Sequence, residues 1–212
     1  MPNPLVQMYQ DFNLRNNKYG FAHHLTTKGA FLGSHIGSGK KILDLGSRDG
    51  VLVETFSSAN SITCLEIDYR AAALCRKRLG VSVVQHDLNY LLPFKEESFD
   101  TVVAGDVIEH ILLGQQLIQE IWRVLVYGGV FLGSVPNAFY WNNRICFFSG
   151  HDPHDFLDPT HVRHFSLSSL KQLLSRQFER IEIVPYGRHQ LATALPTWFA
   201  GDFFWRAQKI RK

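Results

Sequence analysis

The 212-residue sequence predicts an α/β fold: a doubly wound, mostly parallel seven-stranded sheet with helices on both faces and an antiparallel last strand. Three observations carry that reading. Short apolar runs alternate with helical stretches through the middle of the chain. The first of these runs, Ile42-Leu43-Asp44-Leu45, ends in the turn Gly46-Ser47-Arg48-Asp49-Gly50, and the next closes on the acidic pair in Leu65-Glu66-Ile67-Asp68. A strand buried on both faces reads as a short apolar run, a tight turn after it needs glycine, and a carboxylate closing the following strand suits the two hydroxyls of a ribose. The pattern points to an adenosine-type ligand over the strand ends.

The elements follow in order. The first 40 residues, polar and aromatic, predict an N-terminal helical cap with a helix over Thr26–His35, ending at Gly37-Ser38-Gly39. Strands are expected at 42–46, 61–67, 81–86, 99–105 and 129–135, with helices at 50–58, 69–79 and 115–125 between them. Leu117, Ile118, Ile121, Trp122 and Leu125 form the stripe of a core-facing helix, and Gly128-Gly129 stand where a left-handed cap would fall. Trp122 is thereby read as core.

Residues 136–165 break the rhythm with Pro136, Asn137, a cluster of aromatics and Asp152-Pro153-His154-Asp155. That stretch is too long for an ordinary connection and reads as a substrate-facing insertion. Ser166 then caps a helix through Phe178, followed by a strand at 181–185 and one near 203–210, which fit a final hairpin. The whole of 1–212 is expected to form one domain.

Composition narrows the function. With 45% hydrophobic and 19% charged residues the chain can bury one sizeable core, and its net charge of +3 is spread without a basic stripe, so nucleic acid is not an expected partner. Cys64, Cys75 and Cys146 lack metal or redox spacing and read as reduced thiols of a cytoplasmic protein. No stretch is apolar enough for a transmembrane segment. The aromatic-rich run from Leu195 to Trp205 fits a dimer surface or a membrane-surface contact.

The glycines of the first turn form G-x-x-x-G rather than the G-x-G-x-x-G of a dinucleotide site, so the ligand need not carry phosphates. The reading as a nicotinamide-dependent oxidoreductase keeps the ribose carboxylate, but this chain lacks the phosphate loop such an enzyme needs. Ile42 to Gly50 resembles motif I of the class I S-adenosylmethionine-dependent methyltransferases, with Arg48 at the usual middle glycine. Val84-Gln85-His86-Asp87-Leu88, Leu92-Pro93-Phe94 to Ser98-Phe99-Asp100, Asp106-Val107-Ile108-Glu109-His110, and Arg123-Val124-Leu125 with Gly128-Gly129 resemble further motifs of that family in order and spacing. The resemblance covers roughly residues 38–185 and implies the Rossmann-like methyltransferase fold, and family precedent suggests a pocket rim and an edge strand for the aromatic-rich run from Leu195 to Trp205. Leu65 to Asp68 and Pro136-Asn137 with Trp141-Asn142-Asn143-Arg144 resemble the narrower methionine-biosynthesis W-like group. The box His161-Val162-Arg163-His164-Phe165 resembles instead enzymes of bacterial glycan and natural-product pathways.

Residue by residue, the resemblance implies that Asp44 and Gly46 shape the pocket for the methionine half of the cofactor, S-adenosyl-L-methionine, with Gly50 holding the turn. Glu66 takes the ribose, Asp87 and the Leu88 amide meet the adenine, Ile67 and Leu88 pack against adenine and ribose, and Asp106 ends the fourth strand beside the methyl group. The expected reaction is methyl transfer to a small-molecule acceptor, such as a glycan or natural-product intermediate. The alternative is a non-catalytic cofactor-binding module that regulates a partner enzyme. His110 is the first candidate base, with His154 and His161 in the irregular segment as further candidates and Arg163 suited to an anionic acceptor. His and Asp in that segment are also metal-ligand types, but His151-x-x-His154 is a spacing that loops show by chance, and no metal is expected.

Overall fold

The computed structural model describes residues 4–187 and 190–211, with residues 154 and 155 described by backbone alone. Seven strands are formed: β1 (Lys41–Leu45), β2 (Ser61–Glu66), β3 (Ser82–Gln85), β4 (Phe99–Gly105), β5 (Leu125–Pro136), β6 (Arg180–Tyr186) and β7 (Asp202–Gln208). They lie in the order β3-β2-β1-β4-β5-β7-β6. All pairs from β3 to β5 are parallel, and β7 is antiparallel to both β5 and β6. This is the Rossmann-like methyltransferase fold. Chain order reverses direction at β1, between β2 and β4, which makes the carboxyl ends of those strands the switch point where α/β sheets bind ligands.

The helices are α1 (Pro4–Arg15), α2 (Leu25–Ile36), α3 (Glu54–Ser57), α4 (Tyr69–Leu79), α5 (Gly114–Val124), α6 (Trp141–Phe148), α7 (His154–Leu157), α8 (Leu167–Leu174) and α9 (Pro196–Phe199). Two of them begin and end for reasons visible in their residues. Asp68 caps α4 by accepting the Arg70 and Ala71 amides, and Gly80, at φ 66°, closes it. Ser166 and Ser169 form a reciprocal capping box at the start of α8. One apolar cluster gathers Leu43, Leu65, Val102, Leu117, Ile121, Phe131 and Trp205 on one side of the sheet. A second, with Leu32, Ile42, Val53, Phe56, Cys64, Val103 and Leu132, fills the other side under α2. Among the described residues no helix is long and apolar enough to cross a membrane.

Several expectations are corrected. The helix expected at 50–58 shrinks to α3, because Gly50 is left-handed and residues 52–56 close three-residue turns such as Thr55 to Leu52. The helix expected at 166–178 stops at Leu174, followed by a turn. Gly128 does not cap α5: the chain turns extended at Leu125, and Gly128, at φ 83°, donates within the sheet to Lys209. Trp122 is only partly buried, its ring covered by the Lys209 ammonium at 4.1 Å. The last two strands are neighbours, yet residues 187–201 between them hold α9 and a 3-10 turn, so no tight hairpin joins them. β7 is interior and β6 is the edge strand. Phe203, Phe204 and Trp205 are therefore core rather than rim or surface, whereas Trp198 is 45% exposed.

At Gly133 of β5 the neighbouring strands β4 and β7 leave no space for a side chain. A Cβ on Gly133 would lie 2.2 Å from the Trp205 ring and 2.5 Å from the Ala104 carbonyl oxygen, neither of which has room to retreat. Gly133→Ala is expected to lower stability by at least about 1–3 kcal/mol, the cost of overpacking a filled core, read as a lower urea midpoint.

Candidate functional site

A crevice of about 440 Å³ opens over the carboxyl ends of β1, β2 and β4, within the size range of small-molecule sites. Its floor is the strand ends, its roof is α1 with the segment to His24, and one wall is formed by Asp158, Thr160 and His161 of the 136–165 insertion. Acidic side chains dominate the lining among the described residues: Asp44, Asp49, Glu66, Asp87, Asp106, Glu109, Asp158 and Asp202, against Lys18, Lys28 and Arg48. In a chain of net positive charge this local excess favours a cationic occupant.

The turn after β1 sets the floor. Gly46, Arg48 and Gly50 all have positive φ, at 65°, 47° and 82°. Arg48 thus adopts the left-handed conformation of the glycine it replaces, at a cost of about 1–2 kcal/mol. The two glycines are required by packing: a Cβ on Gly46 would meet Val107 at 2.8 Å, and one on Gly50 would meet Leu79 and Cys75 at 2.9 and 3.0 Å. Glu66 holds the turn from the neighbouring strand, accepting the Arg48 amide on one oxygen at 2.6 Å and the Asp68 amide on the other at 2.9 Å. Burial nonetheless raises its carboxyl to about 7, and burial with the Glu66 charge nearby raises Asp44 likewise to about 7. Both groups would hold their charge better beside a cation.

The remaining acids of the rim receive the N-terminal segment. Asp68, fully buried, accepts from Asn13 Nδ2 at 3.0 Å and Tyr19 Oη at 2.7 Å besides capping α4. Asp49 accepts the Gly20 amide at 2.6 Å and lies 3.4 Å from the Arg78 guanidinium. Asp106 adopts a left-handed backbone, φ 54°, and accepts from Lys28 Nζ on one oxygen and from Ser134 Oγ at 2.6 Å on the other. Burial pushes the Asp106 carboxyl up, but the Lys28 ammonium and the two hydrogen bonds outweigh it and hold the group below the usual carboxylate range. Asp106 is therefore a neutralised partner of Lys28 rather than a lone charge.

Beyond Asp106 the crevice reaches a second cluster. Glu109 is 2% exposed and lines the crevice, and neither of its carboxyl oxygens has a hydrogen-bond partner among the described residues. Burial, then the Asp106 charge, raises its carboxyl well above the usual range. His110 Nδ1 lies 2.9 Å from the Thr160 carbonyl oxygen, and its ring meets that of His161 edge-on at 4.8 Å. Burial and the neighbouring His161 lower the His110 pKa, which favours the neutral ring. Thr160 is itself held by Asp158, through its amide at 2.9 Å and its hydroxyl at 2.6 Å.

The sequence-derived residues thus fall as follows. Asp44, Gly46, Glu66, Ile67, Asp87, Leu88, Asp106, His110 and His161 all line the one crevice, while Gly50 stands behind the turn against α4. Asp87 spends one oxygen on its own turn, accepting from the Asn89 amide and side chain at 2.9 Å each. The His154 side chain lies outside the described residues. Arg163 is committed to the Ile111 and Leu112 carbonyls, at 3.0 and 2.6 Å, and is not positioned for an anionic acceptor. Sequence reasoning missed Lys28, Asp49 and Glu109. A lysine inside the apolar stretch Leu25–Ile36, and a glutamate within the motif Asp106 to His110, were the available signals.

Two measurements test this electrostatic reading. Lys28→Met strands the Asp106 carboxylate and is expected to destabilise the fold by about 3–5 kcal/mol, with adding Asp106→Asn recovering part of the loss in urea unfolding. Glu66 ionises near 4.5 when unfolded and near 7 when folded, so its contribution is complete below the lower value and is lost as pH rises through the higher one. Between about pH 5 and 7 the wild type should lose stability more steeply than Glu66→Gln, by up to about 1.4 kcal/mol per pH unit; equal slopes would contradict the raised carboxyl.

Comparison with known proteins agrees with this geometry. Residues 43–133 match the methyltransferase domain family. A probable S-adenosylmethionine-dependent methyltransferase of Mycolicibacterium smegmatis is 33% identical over 142 residues, covering 66% of this chain and 52% of that protein. The chain spans about half the length of the curated relatives it matches. Among solved structures, a SAM-dependent methyltransferase from Archaeoglobus fulgidus superposes with a TM-score of 0.71 at 18% identity, over 93% of this chain and 99% of that one. Phosphoethanolamine N-methyltransferase 2 of Haemonchus contortus, solved with S-adenosyl-L-methionine, reaches 0.67 at 15% identity, over 91% of this chain and 53% of that one. None of these matches is to the methionine-biosynthesis W-like group. Residues 43–133 thus match a methyltransferase domain, on the fold of solved methyltransferases, and the curated relatives that align with the chain are described as probable S-adenosylmethionine-dependent methyltransferases.

Proposed function

We propose that this protein transfers the methyl group of S-adenosylmethionine to a small organic acceptor carrying a hydroxyl or amine. The observation that carries the reading is the convergence, in one acidic crevice, of the left-handed Gly46–Gly50 turn, Glu66 and Asp87. The donor set fits the cofactor. Glu66 keeps lone pairs for ribose hydroxyls beside the two amides it already accepts, Asp87 stands after β3 for the adenine amine, and Asp44 supplies negative charge toward a sulfonium and an ammonium. Ile67 and Leu88 offer apolar surface to the base.

The cofactor supplies an electrophilic methyl group on a cationic sulfur. In the transfer a bond from the acceptor oxygen or nitrogen to that carbon forms as the carbon–sulfur bond breaks, and the acceptor gives up a proton. The protein must hold the acceptor atom at ~3 Å, in line with the departing sulfur, and exclude water. The roof of α1 and the Asn13, Tyr19 and Gly20 anchors serve exclusion. Glu109, His110 and His161 lie on the acceptor side of Asp106, where the proton must leave. The resemblance of His161 to Phe165 to enzymes of glycan and natural-product pathways supports an acceptor from those classes.

Glu66→Ala should weaken S-adenosylhomocysteine binding by about 1–3 kcal/mol in calorimetric titration, the cost of stranding hydrogen-bonded groups. Unchanged affinity would remove the ribose assignment. His110→Ala should cut turnover far more than cofactor affinity, measured as labelled methyl transfer in a screen of hydroxyl and amine acceptors. Tight binding with no transfer to any acceptor would favour the regulatory module instead.

A further inference from the structure

Glu109, His110 and His161 each offer one ligand-capable atom, these atoms lie within 4.8 Å of one another, and all three residues line the crevice. Two features separate this cluster from a chance grouping. The Glu109 carboxyl is buried with both oxygens unpartnered among the described residues, although it lines the crevice, a situation that costs several kcal/mol unless something in the crevice satisfies it. Because the Thr160 carbonyl can only accept, His110 carries a hydrogen on Nδ1 and presents Nε2 as its ligating atom. A ring fixed in that way by a backbone carbonyl is how proteins orient metal-binding histidines. Asp158 extends the support, holding Thr160 by two hydrogen bonds and standing 4.0 Å from His161 Nε2.

We infer that Glu109, His110 and His161 bind a divalent transition-metal cation whose open positions take an oxygen of the methyl acceptor. Two imidazoles and one carboxylate suit manganese, iron, cobalt or zinc in the divalent state and leave coordination sites free. Lys28 forms its ion pair with Asp106, and among the described residues no ammonium hydrogen-bonds to Glu109. Such an ion would lower the pKa of a hydroxyl held on it, so that the hydroxyl could pass its proton to solvent and its oxygen could bond to the methyl carbon as the carbon–sulfur bond breaks. The inference rests on the methyl-transfer reading for the ion's role but not for its binding, and it narrows the acceptor to a hydroxyl, enol or phenol.

The test uses the full chain stripped with chelator and titrated separately with Mn²⁺ and Zn²⁺ by calorimetry, with Mn²⁺ also followed by its electron paramagnetic resonance. One saturable ion per chain is expected, with affinity about tenfold or more weaker in Glu109→Gln and in His161→Ala. Both variants should keep wild-type affinity for S-adenosylhomocysteine, and metal-free Glu109→Gln should melt no lower than metal-free wild type, since it removes an unpartnered carboxyl. Absence of saturable binding by either ion, or binding unchanged in Glu109→Gln, would overturn the inference even if S-adenosylhomocysteine binds. Metal binding that Glu109→Gln abolishes in a protein without affinity for S-adenosylhomocysteine would uphold the site while removing the methyl-transfer reading.

Discussion

The arrangement of this protein depends on how the buried carboxylates at the carboxyl edge of its sheet are satisfied. Asp49 and Asp68, both buried, and Asp106, partly buried, follow β1, β2 and β4, and an ionised carboxylate left unpaired in such a place is costly. Besides local partners such as the Arg70 and Ala71 amides, Arg78 and Ser134, each acid takes a donor from one stretch of chain: Asn13, Tyr19, Gly20 and Lys28. The same contacts that relieve the acids therefore fasten the N-terminal segment across the strand ends and give the crevice its roof. Lys28 shows the coupling most directly, since it is 3% exposed and pairs with the acid that ends β4.

The crevice divides into two chemical environments on either side of that pair. Toward β1 and β2 the lining is carboxylate and backbone amide, with Asp44 and Glu66 pushed toward neutrality by burial and ready to be re-ionised by a positively charged occupant. Toward the 136–165 insertion it is carboxylate and imidazole. The two ends of the insertion are joined by the Asn137–Phe165 bridge, and the Val162 and Arg163 amides tie it to the segment after β4 by donating to the Glu109 carbonyl. Because the backbone of Glu109 carries the insertion, the Glu109 side chain and His161 are brought to one place by the same contact.

Arg48 shows how a departure from a family pattern can be absorbed. The middle position of the turn must be left-handed, and glycine is the usual solution because it has no Cβ. Here the Arg48 amide donates to Glu66, and the conformation is retained by that bond. By contrast Gly46 and Gly50 cannot be replaced so easily, because Val107, Leu79 and Cys75 fill the space where a side chain would begin. Local conformation and tertiary packing make separate demands on neighbouring residues of one loop.

The alternation of apolar runs was enough to place all seven strands, since a buried strand and an amphipathic helix leave different periods in the residues themselves. The glycine turn and the acids closing successive strands were legible for the same reason: a left-handed backbone and a strand-end carboxylate are local requirements that residue type records. Helix lengths at α3 and α8 were not, nor was the placing of β7 inside the sheet, because neither follows from periodicity. The sequence by itself determined the fold class and the side of the sheet on which a ligand would sit. Only the tertiary structure decided that Lys28 neutralises Asp106 and that Glu109, His110 and His161 meet, because these pairings join residues 78 and about 50 positions apart and depend on which buried charges the folded chain can bring together.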